Sequence, residues 1–254
     1  MARPTPLLLA LRACLSAVGD PARARGAQAY MKSAMPFHGV GAVPLRAACR
    51  ELFAPLAPRD GAAFRREVLG LFRGAEYREE TYAAVELARW KRAAPLRDLA
   101  FLPVCEEMVV VGAWWDVVDA VAAHLLGELL RKEPRAMRRE MLAWARCDDL
   151  WKRRSAILCQ LGFREATDAA LLHACIEPSL DSGEFFLRKA IGWALRQHAR
   201  TDPDGVRRWV EENAGRLSGL SRREATKHLG GDPPAARPAG SAGERRGRSR
   251  TPAR

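Results

Sequence analysis

The stretch AWWDVVDAVAAHLL, residues 113–126, decides the fold class. Wound on a helix at about 100° per residue, it places Trp114, Val117, Val118, Val121 and Leu125 on one side as a core face. Trp115 and Asp119, four residues apart, share the flank of that face with Leu126 below them. Asp116 points to the opposite side and is expected to be solvated. Two readings of the flank stay open. Asp119 is either a carboxylate held against an aromatic wall, placed to meet developing positive charge, or a surface Asp at the edge of a Trp-rich core.

Outward from this stretch the same periodicity continues. Apolar residues recur at spacings of three and four in 5–17, 22–34, 43–54, 63–73, 78–90, 96–111, 114–131, 135–146, 151–161, 167–176, 184–200, 204–214 and 221–229. No alternating Val/Ile/Thr strand of useful length occurs, so the expected fold class is all-α. Asp60, Asp148, Ser182 and Ser221 are expected N-caps, and Pro203 suits a first turn after Asp202. Trp-bearing helices begin near 114, 151 and 185, each followed by a second helix. Helix pairs at that period predict a HEAT-like solenoid, an α-α superhelix whose concave surface can follow a duplex. A compact irregular helical bundle is the alternative, because the units share a period and no repeated motif.

The chain has 254 residues, with 42 Lys+Arg against 30 Asp+Glu and a net charge of +12. Its 48% hydrophobic content suffices for a sizeable core and excludes a wholly disordered chain. The basic excess points to a polyanionic partner, most simply nucleic acid. Residues 230–254, GGDPPAARPAGSAGERRGRSRTPAR, hold six Arg against Asp232 and Glu244, so eight of the twelve excess charges fall within 1–229. Rich in Gly and Pro and without an aromatic, this tail is expected to be disordered, either simply solvated or a non-specific phosphate tether. The expected division is a helical-repeat domain at 1–229 and a basic tail at 230–254.

Several function classes fall away. The six cysteines at 14, 49, 105, 147, 159 and 175 form no CxxC pair, so neither zinc site nor disulfide framework is expected, and no metal or cofactor. PLLLALRACLSA resembles a signal h-region, but Arg12 interrupts it, and the run reads as a first amphipathic helix. No uncharged run of about 18 apolar residues exists to span a membrane. There is no GxGxxG, P-loop, HExxH or GxSxG, and the five His have no Ser or Cys partner in a recognisable arrangement.

Two further segments carry charge at a core border. In DDLWKRRSAILCQLGF, 148–163, Arg154 lies three residues after Trp151, with Lys152 and Arg153 extending the basic character. An Arg fixed there can grip a phosphate bidentately, and a solvated basic face is the alternative. In SGEFFLRKAIGWALRQHAR, 182–200, helical spacing sets Trp193 between Lys189 and Arg196. Gly192 there implies close approach of a ligand or of another helix. LSGLSRREATKH, 217–228, adds the basic cluster Arg222, Arg223 and Lys227.

Together, YMKSAMPFHGV (30–40), WWDVVD (114–119), WKRRSAILCQ (151–160), EFFLRKAIGWALRQHAR (184–200) and LSRREATKH (220–228) resemble the AlkD-type DNA alkylation repair family over residues 5–229. The resemblance implies a HEAT-like solenoid that wraps duplex DNA through a basic concave face. It implies a monofunctional glycosylase, working as a monomer, that releases cationic N3- and N7-alkylated purines without flipping the base. It carries the catalytic carboxylate onto Asp119 and the aromatic cleft onto Trp115 and Trp193. Arg154 would hold the DNA backbone by the lesion. Tyr30 and Lys32 come from the AYMK segment, and Arg153, Lys189, Arg196, Arg222, Arg223 and Lys227 complete the expected DNA contacts. Where the family pattern reads QLK, this chain reads QLGF, so Gly162 removes one phosphate contact. A cytoplasmic, nucleoid-associated setting is the corresponding expectation. The contrasting reading is a non-catalytic helical-repeat protein that binds damaged or branched DNA.

Overall fold

The computed structural model describes residues 4–229; the basic tail 230–254 lies outside them. Among the described residues the chain is all-helical, without a strand. The helices are α1 (Pro6–Ala17), α2 (Pro21–Met31), α3 (Ala42–Phe53), α4 (Gly61–Arg73), α5 (Arg78–Ala88), α6 (Leu102–Gly112) and α7 (Trp115–Ala120). They continue as α8 (Gly127–Lys132), α9 (Pro134–Trp144), α10 (Leu150–Leu158), α11 (Ala169–Ile176), α12 (Phe185–His198), α13 (Pro203–Glu212) and α14 (Gly219–Thr226). A π-helical turn, Val121–Leu126, joins α7 to α8 without a break. Such turns recur beside functional sites, and this one follows Asp119 directly.

Local chemistry explains where the helices begin. Asp60 and Asp202 cap α4 and α13 as expected, and Pro203 opens the latter. Three caps differ from expectation. Asp149, not Asp148, caps α10 by accepting from the Trp151 and Lys152 amides at 2.9 and 2.8 Å. Glu184 stands at the α12 N-cap, while Ser182 only accepts from its amide. Ser218 caps α14, and Ser221 is buried with its hydroxyl donating to the Arg188 carbonyl. The helix expected at 96–111 starts only at Leu102. Asp98 caps a short 3₁₀ turn through the Ala100 amide, and Pro103, lacking an N–H, fits only a first turn.

One hydrophobic core runs from Leu7 to Ala225. The N-terminal stretch is part of it, with Leu8, Leu11 and Leu15 fully buried on α1. Cys49, Cys105, Cys159 and Cys175 are buried and unpaired, and burial pushes the thiols of Cys49 and Cys175 up to about 12. No helix among the described residues is long and apolar enough to cross a membrane. None of their His, Cys, Asp and Glu side chains group to hold a metal ion.

A period is visible in the helix starts. α7, α10, α12 and α14 begin at residues 115, 150, 185 and 219. Asp119, Arg154, Lys189 and Glu224 follow one another at intervals of 35 residues on these helices, and two of the steps, Asp119 to Arg154 and Lys189 to Glu224, are ion pairs. α10 is the hub, packing on α6, α7, α9, α11 and α12.

The α12–α14 contact is the most extensive, and it explains Gly192. A Cβ there would lie 2.5 Å from the Glu224 Cβ and 2.8 Å from the Ser221 carbonyl oxygen. Gly192 thus serves a helix–helix contact. Helix propensity alone would favour Ala by about 1 kcal/mol. Because the clash is partly with backbone, G192A is instead expected to destabilise by about 1–3 kcal/mol, measured by urea unfolding.

Candidate active site

The site is assembled where α7, α10 and α12 meet. Ala113, in the left-handed region at φ 38°, turns the chain out of α6, and Trp114 is extended as the N-cap of α7. This turn sets Trp115 and Asp119 on successive turns of α7. Trp114 does not lie in the aliphatic core as the helical wheel suggested. It joins an aromatic cluster, with ring centroids 5.9 Å from Trp151 and 5.2 Å from Phe186. Trp151 and Phe186 are 5.0 Å apart, so one cluster ties the first turns of all three helices. The Trp114 indole N–H is buried there without an acceptor.

Arg154 meets Asp119 across α10 and α7 in a fork-to-fork pair, Nε to Oδ1 at 2.7 Å and Nη2 to Oδ2 at 2.8 Å. Its Nη1 donates to the Phe186 carbonyl, which adds α12 to the same junction. Side-chain exposure is 5% for Arg154 and 15% for Asp119. The Arg is enclosed, while the carboxylate keeps an open edge. Burial pushes the Asp119 carboxyl above the usual carboxylate range, Arg154 pulls it down, and Asp116 adds a smaller upward push.

Asp116 is not solvated. It accepts from Arg78 Nε at 3.0 Å and from the Tyr82 hydroxyl, and its Oδ1 also takes the Val117 amide at 2.9 Å. Arg78 Nη2 reaches the Gly112 carbonyl at 3.4 Å, so this guanidinium bridges the end of α6 and the start of α7 across the Ala113 turn. Arg78→Met would leave Asp116 buried and uncompensated. The expected loss is about 3–5 kcal/mol, read as a lower urea midpoint. Trp115 is half-buried and lines a groove of about 290 Å³ with Ala42, Arg46, Tyr82 and Asp116.

The model of the family described as DNA alkylation repair enzyme matches residues 11–229. The chain belongs to that family. Among solved structures, that of a predicted DNA alkylation repair enzyme from Enterococcus faecalis superposes with a TM-score of 0.75 at 29% identity. The match covers 84% of this chain and 97% of that one. No curated protein matches the chain significantly.

Within this family member the expected site residues do not all stand together. Asp119 and Arg154 are in contact and Trp115 shares α7 with Asp119, whereas Trp193 is half-buried against the core on α12, without a ring contact to them among the described residues. Tyr30 is 78% exposed in the last turn of α2, and Lys32 follows as its exposed left-handed C-cap. Besides Arg154, the expected DNA-contacting cations Arg153, Lys189 and Arg196 are engaged within the protein. Arg153 donates to the Pro178 carbonyl and the Ser179 hydroxyl, both at 2.9 Å. Lys189 and Arg196 both bind Glu224, whose carboxyl they hold below its ordinary value. Arg223 and Lys227 are exposed on and just after α14, and Arg222 is half-buried.

Sequence reasoning missed a second set. Arg78, Glu79 and Glu80 are all buried in the first turn of α5. Glu79 accepts the amides of His38, Gly39 and Val40 at 2.9–3.0 Å, fixing the loop that follows Tyr30 and Lys32. Glu80 accepts from Arg12 at 2.8 Å. The signal was three consecutive charges before the apolar run AAVELA, where solvation would ordinarily be read.

Proposed function

We infer that this family member is a monofunctional DNA glycosylase, hydrolysing the N-glycosidic bond of cationic N3- and N7-alkylated purines in duplex DNA. The observation that carries the reading is the Asp119 carboxylate, oriented by two hydrogen bonds from an enclosed Arg154, partly accessible, and one helical turn after Trp115 on α7.

The chemistry asks for little more. A purine alkylated at N3 or N7 already carries positive charge, so the C1′–N9 bond breaks with its electron pair passing to the base, which leaves neutral. Positive charge then develops on the deoxyribose near C1′. An ionised Asp119 stabilises that charge and orients the water that adds to C1′, taking up its proton or passing it to solvent. Indole faces at Trp115 and Trp193 add cation–π attraction of about 0.5–2 kcal/mol each. Arg154 acts chiefly by fixing the carboxylate. Two of its five N–H groups remain for a backbone phosphate at the lesion.

In the same reading the helix period of about 35 residues is a HEAT-like solenoid with a basic concave face. The duplex lies along it, gripped through phosphates and sugars with the lesion still stacked. Tyr30, Lys32, Arg222, Arg223 and Lys227 contribute, and Lys189 and Arg196 join by exchanging Glu224 for phosphate. The protein works as a monomer in the cytoplasm, at the nucleoid of a bacterial cell. The test is appearance of free methylated base and alkali-labile abasic sites from methylated duplex DNA. Tight duplex binding with no base release would favour a non-catalytic binding protein.

A further inference from the structure

We propose that Tyr82 is a positioning residue for Trp115, acting through Asp116 to fix the first turn of α7. This role rests on the reading of Trp115 as part of a glycosylase site. α7 has only six residues, and the joint leading into it is unusual: Ala113 stands at φ 38° and Trp114 is extended. A non-Gly residue in the left-handed region is strained and persists only where neighbouring contacts hold it. The Trp115 indole makes no ring contact and no hydrogen bond among the described residues, so its direction follows from how this turn is held.

Two Arg–Asp forks hold α7 from different neighbours. Arg154 of α10 binds Asp119 near the end of the helix. Arg78 of α5 binds Asp116 in the first turn, Nε to Oδ2 at 3.0 Å and Nη2 to Oδ1 at 2.5 Å. The forks differ in access, with side-chain exposure of 15% for Asp119 and 9% for Asp116. The Asp116 fork carries a third donor, the Tyr82 hydroxyl, 2.5 Å from Oδ2. Tyr82 therefore ties α5 to the residue directly after Trp115, and its ring lines the same groove as the indole. Burial, and to a smaller degree the charge on Asp116, raise this hydroxyl above its ordinary range, so it stays protonated and remains a donor. With its proton committed to Asp116, Tyr82 acts on a substrate through α7.

Tyr82→Phe keeps the ring and its edge contact to Phe37, at 6.5 Å between centroids, and removes only the hydroxyl. Wild type, Y82F, W115A and Y82F/W115A, each shown to be folded by a urea midpoint, are compared by two readouts. The first is single-turnover release of 7-methylguanine from a duplex. Y82F is expected to be about tenfold slower than wild type, the scale of a small misplacement at a reacting centre. On the W115A background the same change is expected to slow release by less than about twofold, because the side chain being positioned is gone. The second readout needs no activity. Acrylamide quenching of tryptophan fluorescence is measured, and the Trp115 share is the difference between each protein and its W115A counterpart. That share is expected to be quenched more readily in Y82F. Any of three results would overturn this role: a Y82F rate equal to that of wild type, an equal loss on both backgrounds, or a Trp115 share that Y82F leaves unchanged. If the wild type releases no base, the glycosylase reading fails on its own, and the Trp115 share alone decides the role of Tyr82.

Discussion

Replacing Asp119 by Asn is expected to slow base release by about 10²–10³-fold, the scale of removing one preorganised electrostatic contact to a transition state. The amide keeps the shape of the carboxylate and loses its charge. It also presents Nδ2 hydrogens or a single carbonyl oxygen to the Arg154 fork, which needs two acceptors. Part of the effect is therefore in the fold. Arg154, almost fully enclosed, is left as a buried charge without its partner, at a cost of about 3–5 kcal/mol. Circular dichroism and a urea midpoint establish that the variant is folded before its rate is read. The pH profile separates the two contributions. Wild-type base release falls as pH drops through the Asp119 pKa, which burial holds above the usual carboxylate range. The residual D119N activity has no such acid limb.

Arg154→Gln acts in the opposite sense on the same pair. With the cation gone, burial and Asp116 act on Asp119 without opposition, so its carboxyl rises further and the acid limb moves to higher pH. The rate at neutral pH falls because less of the enzyme is ionised, and raising the pH recovers part of it. Complete recovery is not expected, since the carboxylate has lost its orientation and the junction to the Phe186 carbonyl is broken. Stability falls by about 3–5 kcal/mol for the unpaired carboxylate at neutral pH, and by less where Asp119 is protonated. A variant whose acid limb coincided with that of the wild type would mean that Arg154 does not govern Asp119.

The helical class and the segment boundaries were legible because the apolar period is strong nearly everywhere. The exceptions have local causes: Pro103 delays α6, and Asp149 and Ser218 take caps for which neighbouring residues were equally suitable by type. Helical spacing also placed Trp115 and Asp119 on one flank. It did not reveal the Asp119–Arg154 pair, which spans two helices and depends on how α7 meets α10. The equal spacing of residues 119, 154, 189 and 224 was present in the sequence but is legible only once helix starts are known. Asp116 was misread for the same reason. A wheel gives direction relative to one helix and is blind to Arg78 and Tyr82 arriving from another. Lys189 and Arg196 look like free cations in a basic helix until α14 brings Glu224 against them.

The central claim is that Asp119 supports cleavage of the glycosidic bond. Its most direct test is a single-turnover assay with enzyme in excess over a duplex holding one 7-methylguanine, with the free base quantified by chromatography. Wild type is expected to release the free base and leave an abasic strand that breaks only on alkaline treatment, while D119N releases it about 10²–10³-fold more slowly. Release by the wild type no faster than by folded D119N, or than in buffer alone, would contradict it.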